Sequence, residues 1–320
     1  MFGVRRGPRR RTLTQARPGI GFVAILVTAA GFVSTAATAA TPQNGRIAFS
    51  RLFPAQIFTM APDSTDITRL THSKMPNSDP AWSADGIQIA FVRAQPDWDG
   101  SKLMVMLGDG SGKTVEARSN ADLLDPDWFP DGTHIVMCRA PRNGVVLRMR
   151  LLITAADGSS VVAVGPRGSS EPSVSPDATK IAFTRYTRKS RRNVWVMNAD
   201  GTGVAQITTD GRSTAPSWSP DGSRIAFVRR VKAPNGSGQQ RDIFVMNADG
   251  TGRIRLTDGA RLEHAPTWSP DGTLIVFERT IYWDPGSSTD LWTIMPDGSN
   301  PTELLHTPGV YEQRPDWQAT

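Results

Sequence analysis

An all-β fold is predicted: a six-bladed β-propeller of four-stranded antiparallel blades, closed by the C-terminal strand joining the N-terminal blade. Three features predict it. A heptapeptide motif recurs every 44 to 50 residues, turn residues separate short apolar strands, and the two chain ends supply complementary parts of one repeat.

The motif is clearest at Pro216-Ser217-Trp218-Ser219-Pro220-Asp221-Gly222 and Pro266-Thr267-Trp268-Ser269-Pro270-Asp271-Gly272. Related copies start at Pro80, Pro126 and Pro172. Their aspartates, Asp85, Asp131, Asp177, Asp221 and Asp271, lie 46, 46, 44 and 50 residues apart. Proline presets the turn, aspartate tolerates its third position, and glycine supplies the left-handed conformation that ends a hairpin. An apolar strand follows each copy, such as Ile225-Ala226-Phe227-Val228. A variable loop, a second strand and an Asn247-Ala248-Asp249-Gly250-type turn come next, and a short strand ends near Leu256-Thr257. With the strand around the tryptophan, each unit holds four strands. Strands apolar on both faces must be covered on both sides, and stacked blades cover one another.

The ends fit the same unit. Gly45 to Arg51 matches the strand that follows the motif, and Arg314-Pro315-Asp316-Trp317 matches the strand that precedes it. The first blade is therefore expected to combine both ends, giving six blades of about 47 residues.

Residues 1–39 are expected to be an export signal, followed by the propeller over 40–320. The first 39 residues carry six arginines and no acid, then an apolar run from Ile20 to Val33 and a small-x-small site at Ala37-Thr38-Ala39. The run is too short to span a bilayer comfortably, although an uncleaved anchor is the alternative. The expected location is therefore exported: periplasmic, envelope-associated or secreted, with no transmembrane segment in the mature chain. The net charge of +6 resides in this leader, since the rest balances at 30 basic and 30 acidic residues. Nucleic acid is accordingly not the expected partner. A single cysteine, Cys138, excludes an internal disulfide framework.

The unit Pro-x-Trp-Ser-Pro-Asp-Gly, Ile-Ala-Phe, Val-Met-Asn-Ala-Asp-Gly-Thr-Gly, Leu-Thr resembles the WD40-like (PD40) repeat of TolB-like β-propellers across residues 44–318. The resemblance implies an exported propeller that binds a partner. TolB-type proteins carry an α/β domain ahead of the propeller, which this chain is expected to lack. The implied function is a non-enzymatic protein-binding, ligand-binding or scaffold module. An envelope protein or peptide is the expected partner, with a glycan as the alternative.

Two residue sets are candidates for binding. The connections between blades reach the central channel just before each inner-strand proline. They place Asp79, Asp125, Glu171, Glu263, His264, Glu312 and Arg314 at the channel mouth, as a cation or basic-peptide site or as a solvated polar rim. The loops between second and third strands carry Arg185, Arg188, Lys189, Arg191 and Arg192, and then Arg229, Arg230, Lys232 and Arg241. Trp98, Tyr282 and Trp283 accompany them as interface anchors. The partner-binding residues selected there are Trp98, Arg188, Lys189, Arg191, Arg192, Tyr282 and Trp283.

No cofactor is predicted. A divalent cation such as calcium at the Asn-Ala-Asp-Gly turns is the alternative to a purely structural turn. The four histidines show no His-x-x-x-His spacing, and no nucleophile elbow is present. The alternative to binding is a metal-dependent lyase or hydrolase on the channel-mouth face, with His72 and His264 converging across the channel.

Overall fold

A computed structural model describes residues 43–320 except 97–98, 189–190, 234–237, 260 and 282–286. Its strands follow the repeat. Blade one contains β1 (Asn44–Arg51), β2 (Gln56–Met60) and β3 (Thr68–Arg69). Blade two contains β4 (Asn77–Trp82), β5 (Gln88–Ala94), β6 (Ser101–Leu107) and β7 (Thr114–Ser119). Blade three contains β8 (Asp122–Trp128), β9 (His134–Ala140), β10 (Arg150–Ala155) and β11 (Val161–Val164). Blade four contains β12 (Ser169–Val174), β13 (Lys180–Thr187), β14 (Arg191–Asn198) and β15 (Ala205–Gln206). Blade five contains β16 (Ser213–Trp218), β17 (Arg224–Lys232), β18 (Gln239–Asn247) and β19 (Ile254–Arg255). Blade six contains β20 (Leu262–Trp268), β21 (Ile275–Ile281), β22 (Ser288–Ile294) and β23 (Thr302–Leu305). The last strand, β24 (Glu312–Ala319), pairs antiparallel with β1 and completes the first blade. A single parallel pairing, Arg241 with Leu262, joins the sheets of blades five and six.

The turn aspartates act as the sequence predicts. Asp221 Oδ1 accepts from the Ser223 backbone N–H at 3.0 Å and from the Ser219 hydroxyl. Gly222 follows at φ +69°, in the left-handed region that glycine enters without a Cβ penalty. Asp200 and Asp249 are engaged in the same way by the N–H groups of Thr202 and Thr251.

The apolar second strands form the core. Phe49, Phe91, Met137, Phe183, Phe227 and Phe277, one per blade, are fully buried. Each motif tryptophan packs on the blade before it. Trp128 lies against Ala81, Ala90 and Val105, Trp268 against Ala226 and Val245, and Trp317 against Val276 and Leu291. The contact between Trp317 and blade six means that the C-terminal strand also fills an interblade core.

No helix among the described residues is long and apolar enough to cross a membrane.

Candidate functional site

The inner strands share one irregularity, and it builds the site. Each bulges at the residue before its proline, where pairing with the second strand shifts register. Proline has no N–H to give the ladder, so the strand is interrupted there. Asp79, Asp125, Glu171, Ala215, Ala265 and Arg314 consequently take φ values between 44° and 55°. A non-glycine residue in this region is uncommon, and here the ring repeats it six times. The bulge turns these six side-chain positions inward. Together with their prolines and Ala81, Asp127, Ser173, Ser217, Thr267 and Asp316, they line an axial cavity of about 140 Å³.

One cation stands among the acids. Arg314 Nη1 lies 2.8 Å from Asp125 Oδ1, and its Nε lies 3.4 Å from Asp79 Oδ1. Its backbone N–H donates to Glu278 Oε1 at 2.7 Å. Glu171 Oε2 accepts from the Ala215 N–H at 3.0 Å. The Arg314 side chain is 40% exposed, but the opening is the channel itself. Asp125 foremost, with Asp79, Glu278 and Glu171, holds the guanidinium above its ordinary pKa. Burial pushes the carboxyls of Asp79 and Glu278 up, opposed by Arg314.

Deeper in the channel, two further acids fasten adjacent blades. Asp127 Oδ2 accepts from the Val174 N–H at 2.7 Å, and Asp316 Oδ2 accepts from the Trp82 N–H at 2.6 Å. Burial raises Asp127 to about 6 and Asp316 to about 8.

Above the ring, the mouth is a polar cavity of about 310 Å³. It is shaped by Glu171, Glu278 and Arg314 with Thr214, Arg241 and His264. Arg241 Nη1 lies 3.1 Å from His264 Nδ1. Burial, then the positive charges of Arg241 and Arg314, push His264 down to about 3, so the imidazole is neutral at ordinary pH. Arg241 and Thr214 also belong to an adjoining small cleft with Arg192, Arg212 and Arg230. The basic loops and the acidic channel, separate in the sequence reading, therefore share one rim.

The structure brings Asp79, Asp125, Glu171, His264 and Arg314 together along the channel. It corrects Glu263 and Glu312. Side chains alternate along a strand, so His264 and Gln313 face the mouth while their preceding neighbours face the blade interior. Glu263 is fully buried against Arg279, with Nη2 at 2.8 Å, and accepts from the Thr257 hydroxyl. Glu312 is fully buried beside Arg51 Nε at 3.2 Å. His72 is exposed and is not among the channel-lining residues, so it does not converge with His264.

Of the loop-face residues, Arg188 and Arg191 are exposed and Arg192 is half-buried over the Tyr186 ring. Trp98, Lys189, Tyr282 and Trp283 lie outside the described residues. Two arginines of the expected patch are engaged elsewhere: Arg185 stacks on Trp195, and Arg229 lies 2.8 Å from Asp210.

Sequence reasoning missed Glu278. A signal existed, because Glu278 is charged where the same strand position elsewhere carries Ser50, Val92, Cys138, Thr184 or Val228.

A closed ring of four-stranded blades around a polar, acid-lined channel defines a β-propeller with an axial cavity. The PD40 family, described as the TolB beta propeller domain, matches residues 88–231 and 148–320, and the chain belongs to this family. TolB from Acinetobacter baumannii superposes with a TM-score of 0.70 at 20% identity, covering 86% of this chain and 66% of that one. This chain thus spans just under two thirds of that relative. A putative TolB from Agrobacterium tumefaciens gives 0.64 at 20% identity, covering 82% and 90%. Hydrazine synthase from Kuenenia stuttgartiensis gives 0.68 at 14% identity, covering 87% and 47%. These likenesses carry the fold, and one fold serves many functions. No curated protein matches the chain.

Proposed function

We propose that this protein is an exported, non-enzymatic binding module that takes a basic segment of an envelope protein at its channel mouth. The observation that carries the reading is the pairing of Asp79 and Asp125 with one fixed guanidinium, that of Arg314, with Glu171 and Glu278 beside it in the channel. Arg314 is held by its own ring, which leaves acidic capacity for an incoming lysine or arginine head. The flanking cleft of Arg192, Arg212, Arg230 and Arg241 suits an acidic residue of the same segment. Export is supported by the arginine-rich, apolar leader of residues 1–39.

The test is capture from envelope and secreted fractions with residues 40–320 as bait. A parallel bait carries Asp125→Asn and Glu278→Gln, which keep the shape and one acceptor oxygen each but remove the charge. A basic protein captured by the first and lost by the second supports the reading. Equal capture by both removes the channel from it.

A further inference from the structure

Blades five and six place an aspartate at the same point of the third strand. Asp242 pairs in register with Arg229, and Asp290 pairs with Arg279. Both carboxylates are fully buried. In blade five the fourth strand answers the charge: Arg255, paired with Phe244, puts Nη2 2.7 Å from Asp242 Oδ2. In blade six the matching fourth-strand residue, paired with Trp292, is Glu303. The charge that blade five neutralises is thus met in blade six by a second acid.

His306 completes the group. Its Nδ1 lies 3.0 Å from Asp290 Oδ1 and 3.6 Å from Glu303 Oε1. The three ligand atoms all fall within 4.8 Å of one another. His306 Nδ1 is the partner of Asp290 Oδ1, while among the described residues Asp290 Oδ2 receives no hydrogen bond. A buried carboxylate with one oxygen left unpartnered is costly and calls for a compensating cation. Glu303 and His306 are each about two-fifths exposed, so the group opens to solvent on one side.

We propose that Asp290, Glu303 and His306 bind one divalent first-row transition ion, Zn²⁺ in the first instance. One imidazole and two carboxylates suit Zn²⁺, which takes nitrogen and oxygen ligands at about 2.0–2.2 Å. Calcium and magnesium prefer oxygen-only shells. The imidazole nitrogen lies 3.0 and 3.6 Å from the two carboxylates, distances that match edges of such a coordination shell. Solvent fills the open side. The site lies on the face of β22 opposite Thr289, which lines the channel mouth. The proposal is therefore independent of the channel reading.

The test uses the tag-free full chain, freed of metal by chelator and titrated calorimetrically with ZnCl₂. The wild type takes up one Zn²⁺ per chain and its Tm rises. Glu303→Gln and His306→Ala each lower the affinity about tenfold or more, and the metal-free Tm of the exposed Glu303→Gln variant matches that of the wild type. His134→Ala, at an exposed His–Asp pair, binds as the wild type does. Two results overturn the proposal. One is the absence of stoichiometric uptake by the wild type. The other is uptake unchanged in Glu303→Gln and His306→Ala. If His306→Ala lowers the metal-free Tm and the wild type ignores zinc, protonated His306 is the counter-ion and the metal site is refuted.

Discussion

Arg314 Nη1 lies 2.8 Å from Asp125 Oδ1, joining the strand that closes blade one to the inner strand of blade three. With Asp79 of blade two on the same guanidinium, three blades meet on one side chain. The residue that completes the ring is also the only basic residue, among the described residues, lining the axial cavity.

Replacing Arg314 with Gln leaves Asp79, Asp125 and Glu278 without their shared cation. The expected cost is about 2–3 kcal/mol at pH 8, below the figure for an enclosed pair because Arg314 meets channel water. Unpaired carboxylates in the folded state hold their protons more tightly than in the unfolded chain. The deficit therefore shrinks as pH falls toward 5. Urea denaturation at both pH values checks this, and a deficit independent of pH counts against it.

Asp316 and Asp127 impose a pH slope of their own. Their folded pKa values, about 8 and about 6, lie above the ordinary carboxylate value. Stability from these groups is complete below about pH 4, the unfolded value. It declines as pH rises, until about pH 6 for Asp127 and about pH 8 for Asp316. Asp316→Asn keeps an oxygen for the Trp82 N–H but removes the titration. The variant should show a flatter Tm profile between pH 5 and pH 8 and gain on the wild type at pH 8. Parallel profiles would show that Asp316 does not titrate in this range.

Trp317 joins the last strand to blade six through Val276 and Leu291. Trp317→Ala should cost about 3–5 kcal/mol, as expected for a large buried aromatic. Deleting 315–320 should destabilise the whole ring, because the inner strand of blade one is lost with it. Calorimetric melting decides: a truncated chain that melts like the intact one contradicts closure through β24.

The fold was legible because its signals are local and repeated. Ser219-Pro220-Asp221-Gly222 states its turn outright, and Arg314-Pro315-Asp316-Trp317 announces the missing strand. The positions before the prolines also indicated the channel ring. Glu263 and Glu312 were misplaced because one residue of register decides between channel and blade interior, and an acid fits either face when an arginine is near. The contact of Arg241 with His264 was hidden for another reason: it joins a loop-side residue of blade five to the inner strand of blade six. Only the three-dimensional ring makes those two residues neighbours.

The most direct test of the binding account is quantitative capture of envelope protein by residues 40–320. It compares the wild type with a form carrying Asp125→Asn, Glu171→Gln and Glu278→Gln, after urea denaturation has shown both baits to be folded. The account predicts capture of a protein with a basic segment, weakened about tenfold or more in the variant. Undiminished capture by the variant, or capture of nothing by the wild type, would contradict it.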